Sequence, residues 1–366
     1  MIVYLDHAAT STMRPQARDA FLRAAEAGGN ASSVHKAGRA AKVMLEEARA
    51  DILAKVGGTG AGLVFTSGGT EANALALHQA SDFDQIIMSA SEHDSLYAAV
   101  SNAVIAPLTS GGQVDLGALE TLLATCGRAF VCVMLANNET GVINDVAAAA
   151  QMVHAHGGWL HVDAVQALGK ITIDFAALGA DSLSLSAHKI GGGQGVGCLI
   201  YDRERTLKAR TLGGGQELGL RAGTENLPGI AAFAAAINLL PTLDGTFSPP
   251  QTALEAQLRA MGVVIVGGDS PRVPGILCLA QPQWTSSLQL IHLDMAGICV
   301  SSGSACSSGK VKASRVATAM GRVDLADKVL RVSGGWTTKP EDWQQFHDVW
   351  SNGYEVYLKR HAKEMA

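Results

Sequence analysis

Residues 180–197 read ADSLSLSAHKIGGGQGVG. Small and apolar residues alternate through the first half like a buried strand, Ser186, His188 and Lys189 fall at its end, and a glycine-rich turn follows. One amine is thereby placed at the rim of a sheet. A lysine leaving a buried strand beside a serine and a histidine suits imine chemistry with an aldehyde, because that reaction needs an uncharged amine held in a fixed place. A strand-end lysine can equally extend its stem to solvent, so the surroundings decide.

Working outward, the same grammar repeats. Strand-like runs fall at 85–89, 130–135, 159–162, 182–186 and 196–201, with helix-like runs at 115–124 and 145–156 among them. LVFTSGGTEANALAL (63–77) adds a strand, a glycine turn and a helix start. Strands alternating with helices over this distance predict an α/β fold with a mainly parallel sheet covered on both faces. Before it come a short strand at 2–5 and helices at 16–27 and 40–56. After an alanine-rich helix reaching about residue 240, PTLDGTFSPPQ (241–251) carries three prolines and marks a boundary. Beyond lie a helix at 252–261, strands near 263 and 275, a helix near 288, a strand at 329–333 and an amphipathic helix at 343–359. Two domains are expected: a larger one at 13–245, and a smaller α+β one made of 1–12 with 246–366.

The composition narrows the partners. Over 366 residues, 48% are hydrophobic, 17% are charged and the formal net charge is -5, which gives no electrostatic footprint for nucleic acid or an anionic membrane. The opening MIVYLDHAAT has neither a basic nor a long apolar region, so a cytoplasmic protein is expected. The six cysteines are far apart, with no spacing that gathers ligands on a metal and no disulfide framework. Cys132, Cys198, Cys278 and Cys299 sit in apolar runs, whereas SSGSACSSGK surrounds Cys306 with serine and glycine.

Five more segments put polar groups after predicted strands, where open α/β sheets bind ligands. TSGGTEAN offers Gly69 and Thr70 at a helix start whose dipole favours a phosphate. SASEHDS puts His93 just past a strand, able to stack on a planar ring and relay protons. MLANNETG puts Asn137, Asn138 and Glu139 past a strand, where an amide side chain can bond a ring hydroxyl or a substrate carboxylate, or else close an Asx-type turn. HVDAVQALG ends a strand on Asp163, 26 residues before Lys189, with Gln166 following. A carboxylate there can keep a pyridinium nitrogen protonated, or simply cap a helix. GLRAGTEN holds Arg221 and Thr224, and LRVSGGW holds Arg331; either arginine can fork onto a carboxylate or pair on the surface.

A phosphate cradle, a carboxylate, an amine, a stacking ring and a carboxylate clamp are together the parts of a pyridoxal phosphate enzyme. The motifs YLDHAAT, GGNASSVH, FTSGGTEAN, SEH, NNETG, HVDAVQALGK, SAHKIGG, RAGTEN and SSGSACSSG, in this order, resemble the group I cysteine desulfurases of the class V aminotransferase fold. The resemblance implies a pyridoxal-phosphate-dependent transferase fold of type I. It implies that Lys189 carries the cofactor, Asp163 pairs with the pyridine nitrogen, Gln166 with the ring oxygen, and His93 stacks on the ring. Gly69, Thr70, Ser186 and His188 would hold the phosphate, with Thr224 reaching it from the partner in a homodimer. Asn138 and Arg331 would bind the L-cysteine carboxylate, and Cys306 would take the sulfur as a persulfide for an acceptor such as an iron–sulfur scaffold protein. Ala31, Gly193, Gln216 and Gly334 depart from the family's usual residues without removing a chemical group. A selenocysteine lyase, an aminotransferase of the same class, or a scaffold without turnover are the alternatives.

Overall fold

The computed structural model describes residues 2–241, 248–303 and 312–361. Thirteen strands appear in order: β1 (Val3–Tyr4), β2 (Gly62–Thr66), β3 (Gln85–Ser89), β4 (Val104–Ala106), β5 (Ala129–Cys132), β6 (Trp159–Asp163), β7 (Ser182–Ser186), β8 (Gly197–Tyr201), β9 (Val264–Ile265), β10 (Ile276–Ala280), β11 (Ile298–Cys299), β12 (Ser301–Ser302) and β13 (Val329–Ser333). Seven form the main sheet in the order β2-β8-β7-β6-β5-β3-β4. β7, β6, β5, β3 and β4 run parallel, and only β8 is antiparallel to its neighbours. The residues between β7 and β8, 187–196, are fewer than a parallel crossover needs, so the chain folds straight back.

Every residue of β2, β5, β7 and β8 is buried, and the pleat sorts them onto two faces. Leu63, Phe65, Val131, Leu183 and Ile200 pack under the helices Lys36–Lys55 and Leu227–Asn238, while Val64, Met88, Phe130 and Leu199 pack against the helix Gly69–Leu77. Burial on both faces is why β2, β5 and β8 read as near-continuous apolar runs, whereas β7 alternates leucine with small buried serine.

Four antiparallel strands form a second sheet, β12-β13-β10-β9. Leu277, Leu279, Leu330 and Val332 face a core with Trp343, Phe346 and Trp350 of the helix Pro340–His361, and Cys278 and Val329 face the other way. β1 pairs in parallel with β11, so the amino terminus starts beside this second sheet before DHAAT crosses to the first. No helix of the described residues is long and apolar enough to cross a membrane.

Candidate active site

The register brings three chain reversals to one edge. Thr66 pairs with Gly197, and Gly197 with Ser186, so the ends of β2 and β7 and the start of β8 lie side by side, with Asp163 at the end of neighbouring β6. Glycine is required here. A Cβ on Gly197 would stand 2.6 Å from the Leu185 carbonyl oxygen and 2.7 Å from the Gly68 backbone, and one on Gly69 would stand 2.8 Å from Val165 Cγ2. The backbone is drawn up to leave a cavity of about 470 Å³, joined to a second of about 340 Å³.

The larger cavity is lined by every expected site residue except Thr224, which is exposed and lines neither cavity, and Cys306, which lies outside the described residues. Gly69, Thr70, Ser186 and His188 line both cavities, below the N–H groups that the first turn of the Gly69–Leu77 helix leaves without helical partners. His188 Nδ1 lies 3.2 Å from Thr10 Oγ1, and burial beside Lys189 lowers its pKa to about 4, so it stands as a neutral ring.

Lys189 Nζ donates to the carbonyls of Ala8 at 2.7 Å and Ala9 at 2.8 Å. Burial first, and then Arg331, lower its pKa from the ordinary 10.5 to about 8. The amine is therefore close to losing its charge at neutral pH. Gln166 Nε2 donates to the same Ala8 carbonyl at 2.8 Å, and its Oε1 accepts from Lys170 Nζ at 3.1 Å, which fixes the orientation of the amide.

Asp163 sits in a directed network. Its Oδ1 accepts from the Val165 N–H at 3.0 Å and its Oδ2 from Asn73 Nδ2 at 2.8 Å. The same Asn73 amide donates to Ser95 Oγ at 2.8 Å, and its Oδ1 faces His161 Nε2 at 3.0 Å. Burial lowers the His161 pKa to about 4, so the ring is neutral. An amide oxygen only accepts, so Nε2 carries the proton and Nδ1 takes the Ser182 hydroxyl at 2.9 Å. Every polar atom of Asn73 is used, and its 1% exposure makes that satisfaction costly to lose. His93 ends the chain of contacts: its Nδ1 accepts from the Ser95 N–H at 3.1 Å and lies 2.9 Å from Ser95 Oγ, capping the short helix Asp94–Tyr97.

The second sheet supplies the opposite wall. Arg331, on β13, donates through Nη2 to Asp6 Oδ1 and through Nη1 to the Asn138 carbonyl, both at 2.9 Å, while its buried Nε has no partner among the described residues. Asn137 stays out of the cavity: its Oδ1 accepts from the Glu139 and Thr140 N–H groups at 2.9 Å, the Asx turn. Arg221 is likewise committed elsewhere, to Glu71 at 2.9 Å. Two acids were quoted in motifs without a role. Glu92 is 1% exposed, and burial next to Asp163 raises its carboxyl well above the usual range; its Oε1 accepts from the Met134 N–H at 2.7 Å and its Oε2 has no partner among the described residues. Glu139, raised by burial, accepts the Ser314 hydroxyl at 2.5 Å. Cys132, Cys198 and Cys278 are buried thiols pushed up by burial, which leaves them inert.

The donor set fits pyridoxal phosphate. A glycine-lined helix start, a satisfied carboxylate at a strand end, an amine held near neutrality and an orphaned guanidinium Nε share one cavity. Among the described residues no group of acidic, histidine or cysteine side chains could hold a metal ion.

Comparison with known proteins places the chain. The family model described as Aminotransferase class-V matches residues 3–346. A cysteine desulfurase of Cereibacter sphaeroides is 36% identical over 359 residues, covering 93% of this chain and 92% of that protein. A putative cysteine desulfurase IscS 1 of Bacillus subtilis is 35% identical over 354 residues, covering 91% and 93%. The X-ray structure of a NifS-like protein from Rickettsia africae superposes with a TM-score of 0.90 at 33% identity, over 97% of this chain and 100% of that one. The chain belongs to the class V aminotransferase family, whose members depend on pyridoxal phosphate.

Proposed function

We propose that this protein is a cysteine desulfurase, converting L-cysteine to L-alanine with transfer of sulfur to Cys306. The carrying observation is the convergence of Lys189 Nζ and the Arg331 guanidinium on one cavity that also holds Asp163. When bound, pyridoxal phosphate supplies a ring that withdraws electrons from the α-carbon of an amino acid joined to it. The residues of the chain do the rest. Lys189 would hold the cofactor through its aldehyde, Asp163 would keep the ring nitrogen protonated, Gln166 would meet the ring oxygen and His93 would cover the ring. Gly69, Thr70, Ser186 and His188 hold the phosphate, and Thr224 reaches it from a second copy of the chain in a homodimer. Arg331 and Asn138 orient the substrate carboxylate. The Lys189 amine, with His93 assisting, would move the α-proton of the substrate.

The Cys306 thiolate then attacks the substrate sulfur. The carbon–sulfur bond breaks, a sulfur–sulfur bond forms, and the carbon fragment keeps the bonding electron pair, takes a proton at Cβ and leaves as alanine, so that cysteine plus thiol gives alanine plus persulfide. An acceptor protein, such as a scaffold for iron–sulfur cluster assembly, takes the sulfur in the cytoplasm. In this reading residues 13–245 are the cofactor domain, and 1–12 with 246–366 are the smaller domain that brings Cys306 to it. Changing Cys306→Ser should abolish alanine and sulfide formation while leaving cofactor absorbance intact; full turnover in that variant overturns the assignment.

A further inference from the structure

Arg315 belongs to none of the motifs, yet it links the second sheet's side of the cavity to the His93 loop. Its short helix, Arg315–Ala319, is capped by Ser314, whose hydroxyl both accepts from the Ala317 N–H at 3.0 Å and donates to Glu139. From that fixed root the side chain reaches 223 residues back: Nη2 donates to the Glu92 carbonyl at 2.5 Å. Nη1 donates to Asp94 Oδ1 at 2.7 Å. The guanidinium carbon lies 3.8 Å from the centroid of the Tyr97 ring. These three contacts fall on the residue before His93, the residue after it, and the helix that His93 caps. A planar fork is needed to reach all three at once, and an ammonium cannot replace it.

We propose that Arg315 is a positioning residue that holds His93 in place over the cavity. This rests on the reading of His93 as the group that covers the cofactor ring. The carbonyl contact carries most of the effect, since the Asp94 partner is 70% exposed and a pair in solvent contributes little. Arg315 follows Cys306 by nine residues. The arm therefore also ties the chain leaving the cysteine segment to the loop that bears His93.

The test crosses Arg315→Ala with His93→Ala and measures two things: the affinity of the cofactor-free protein for pyridoxal phosphate, and hydrogen exchange of the amides at 94–98. Arg315→Ala should weaken cofactor binding about tenfold and speed exchange across 94–98 by a similar factor. In the His93→Ala background it should weaken binding no further, and Arg315→Lys should restore less than half of the loss. Equal weakening in both backgrounds, or unchanged exchange, overturns the proposal. A raised KM for cysteine with unchanged cofactor affinity also overturns it, by making Arg315 a substrate ligand. Should Arg315→Ala fail to fold, Asp94→Asn removes one arm at an exposed position and must show the same dependence on His93, with a two- to threefold effect of about the size expected for a surface pair. A wild-type chain that takes up no pyridoxal phosphate would refute the proposed function instead, and the exchange measurement would still judge Arg315.

Discussion

The two walls of the cavity are built differently. On the side of the main sheet, Lys189, Asp163 and Gln166 leave strands buried on both faces, and each is bonded to backbone or to a fully buried amide. On the other side Arg331, Ser314 and Arg315 come from the second sheet and its connections: Arg331 bonds Asp6 and the Asn138 carbonyl, Ser314 bonds Glu139, and Arg315 bonds Asp94 and the Glu92 carbonyl of the His93 loop. Burial in the first wall, with Arg331 of the second as the next cause, sets the charge state of Lys189. The second joins the substrate-facing groups to the first through side chains alone. Substitutions should divide the same way: cofactor affinity should respond to the first wall and substrate KM to the second, with Arg315 as the point where the two meet.

The largest break is Lys189→Ala, which should eliminate covalent cofactor attachment and lower turnover by about ten-thousandfold or more, the upper range for loss of a proton-transfer group; absorbance spectra and alanine production measure both. Next, Arg331→Ala should cut kcat/KM for cysteine by about thirty- to five-thousandfold, the 2–5 kcal/mol of a truncated buried charge pair, because it also takes the cation from Asp6 Oδ1. Cofactor affinity should hardly move, and a loss of cofactor in this variant would erase the distinction between the walls. Asn73→Ala sharpens it from the other side. Removing the donor to Asp163 Oδ2 should cost about 1–3 kcal/mol in cofactor binding, seen by titration, with KM little changed.

The smallest effect is in pH. Lys189 binds fewer protons folded than unfolded between about 8 and the ordinary 10.5, so its contribution to stability increases as pH rises through that window and is lost as pH falls toward 8. Denaturant melts of wild type against Lys189→Met should show the difference. The same value sets cofactor capture: the rate should climb with pH up to about 8 and flatten above it.

The sequence displayed the first wall far better than the second. Asp163 and Lys189 stand out because they end runs whose alternation marks a buried strand, and sheet edges of that kind hold ligands. The tethers leave no such trace. Asn73 reaches Asp163 across 90 positions, the Ala8 carbonyl meets Lys189 across 181, and Arg315 meets Glu92 across 223. Helix register and chain crossing decide these contacts, and neither is a local property. Glu92 and Glu139 stood in plain view inside SEH and NNETG, but only their burial distinguishes them from solvated acids. Among the strands, β4, β11 and β12 have two or three residues each, too few for an alternation to show. The direction of β8 was readable from its short connection, where length alone excludes a crossover.

Two half-buried amines stand near Gln166, Lys170 bonded to it and Lys189 sharing the Ala8 carbonyl with it, and desolvation lowers both below the ordinary lysine range. Reducing the cofactor-loaded protein with borohydride, digesting it and locating the pyridoxyl adduct by mass spectrometry separates them. The account predicts the adduct on Lys189 alone; an adduct on Lys170, or none on either, would contradict it.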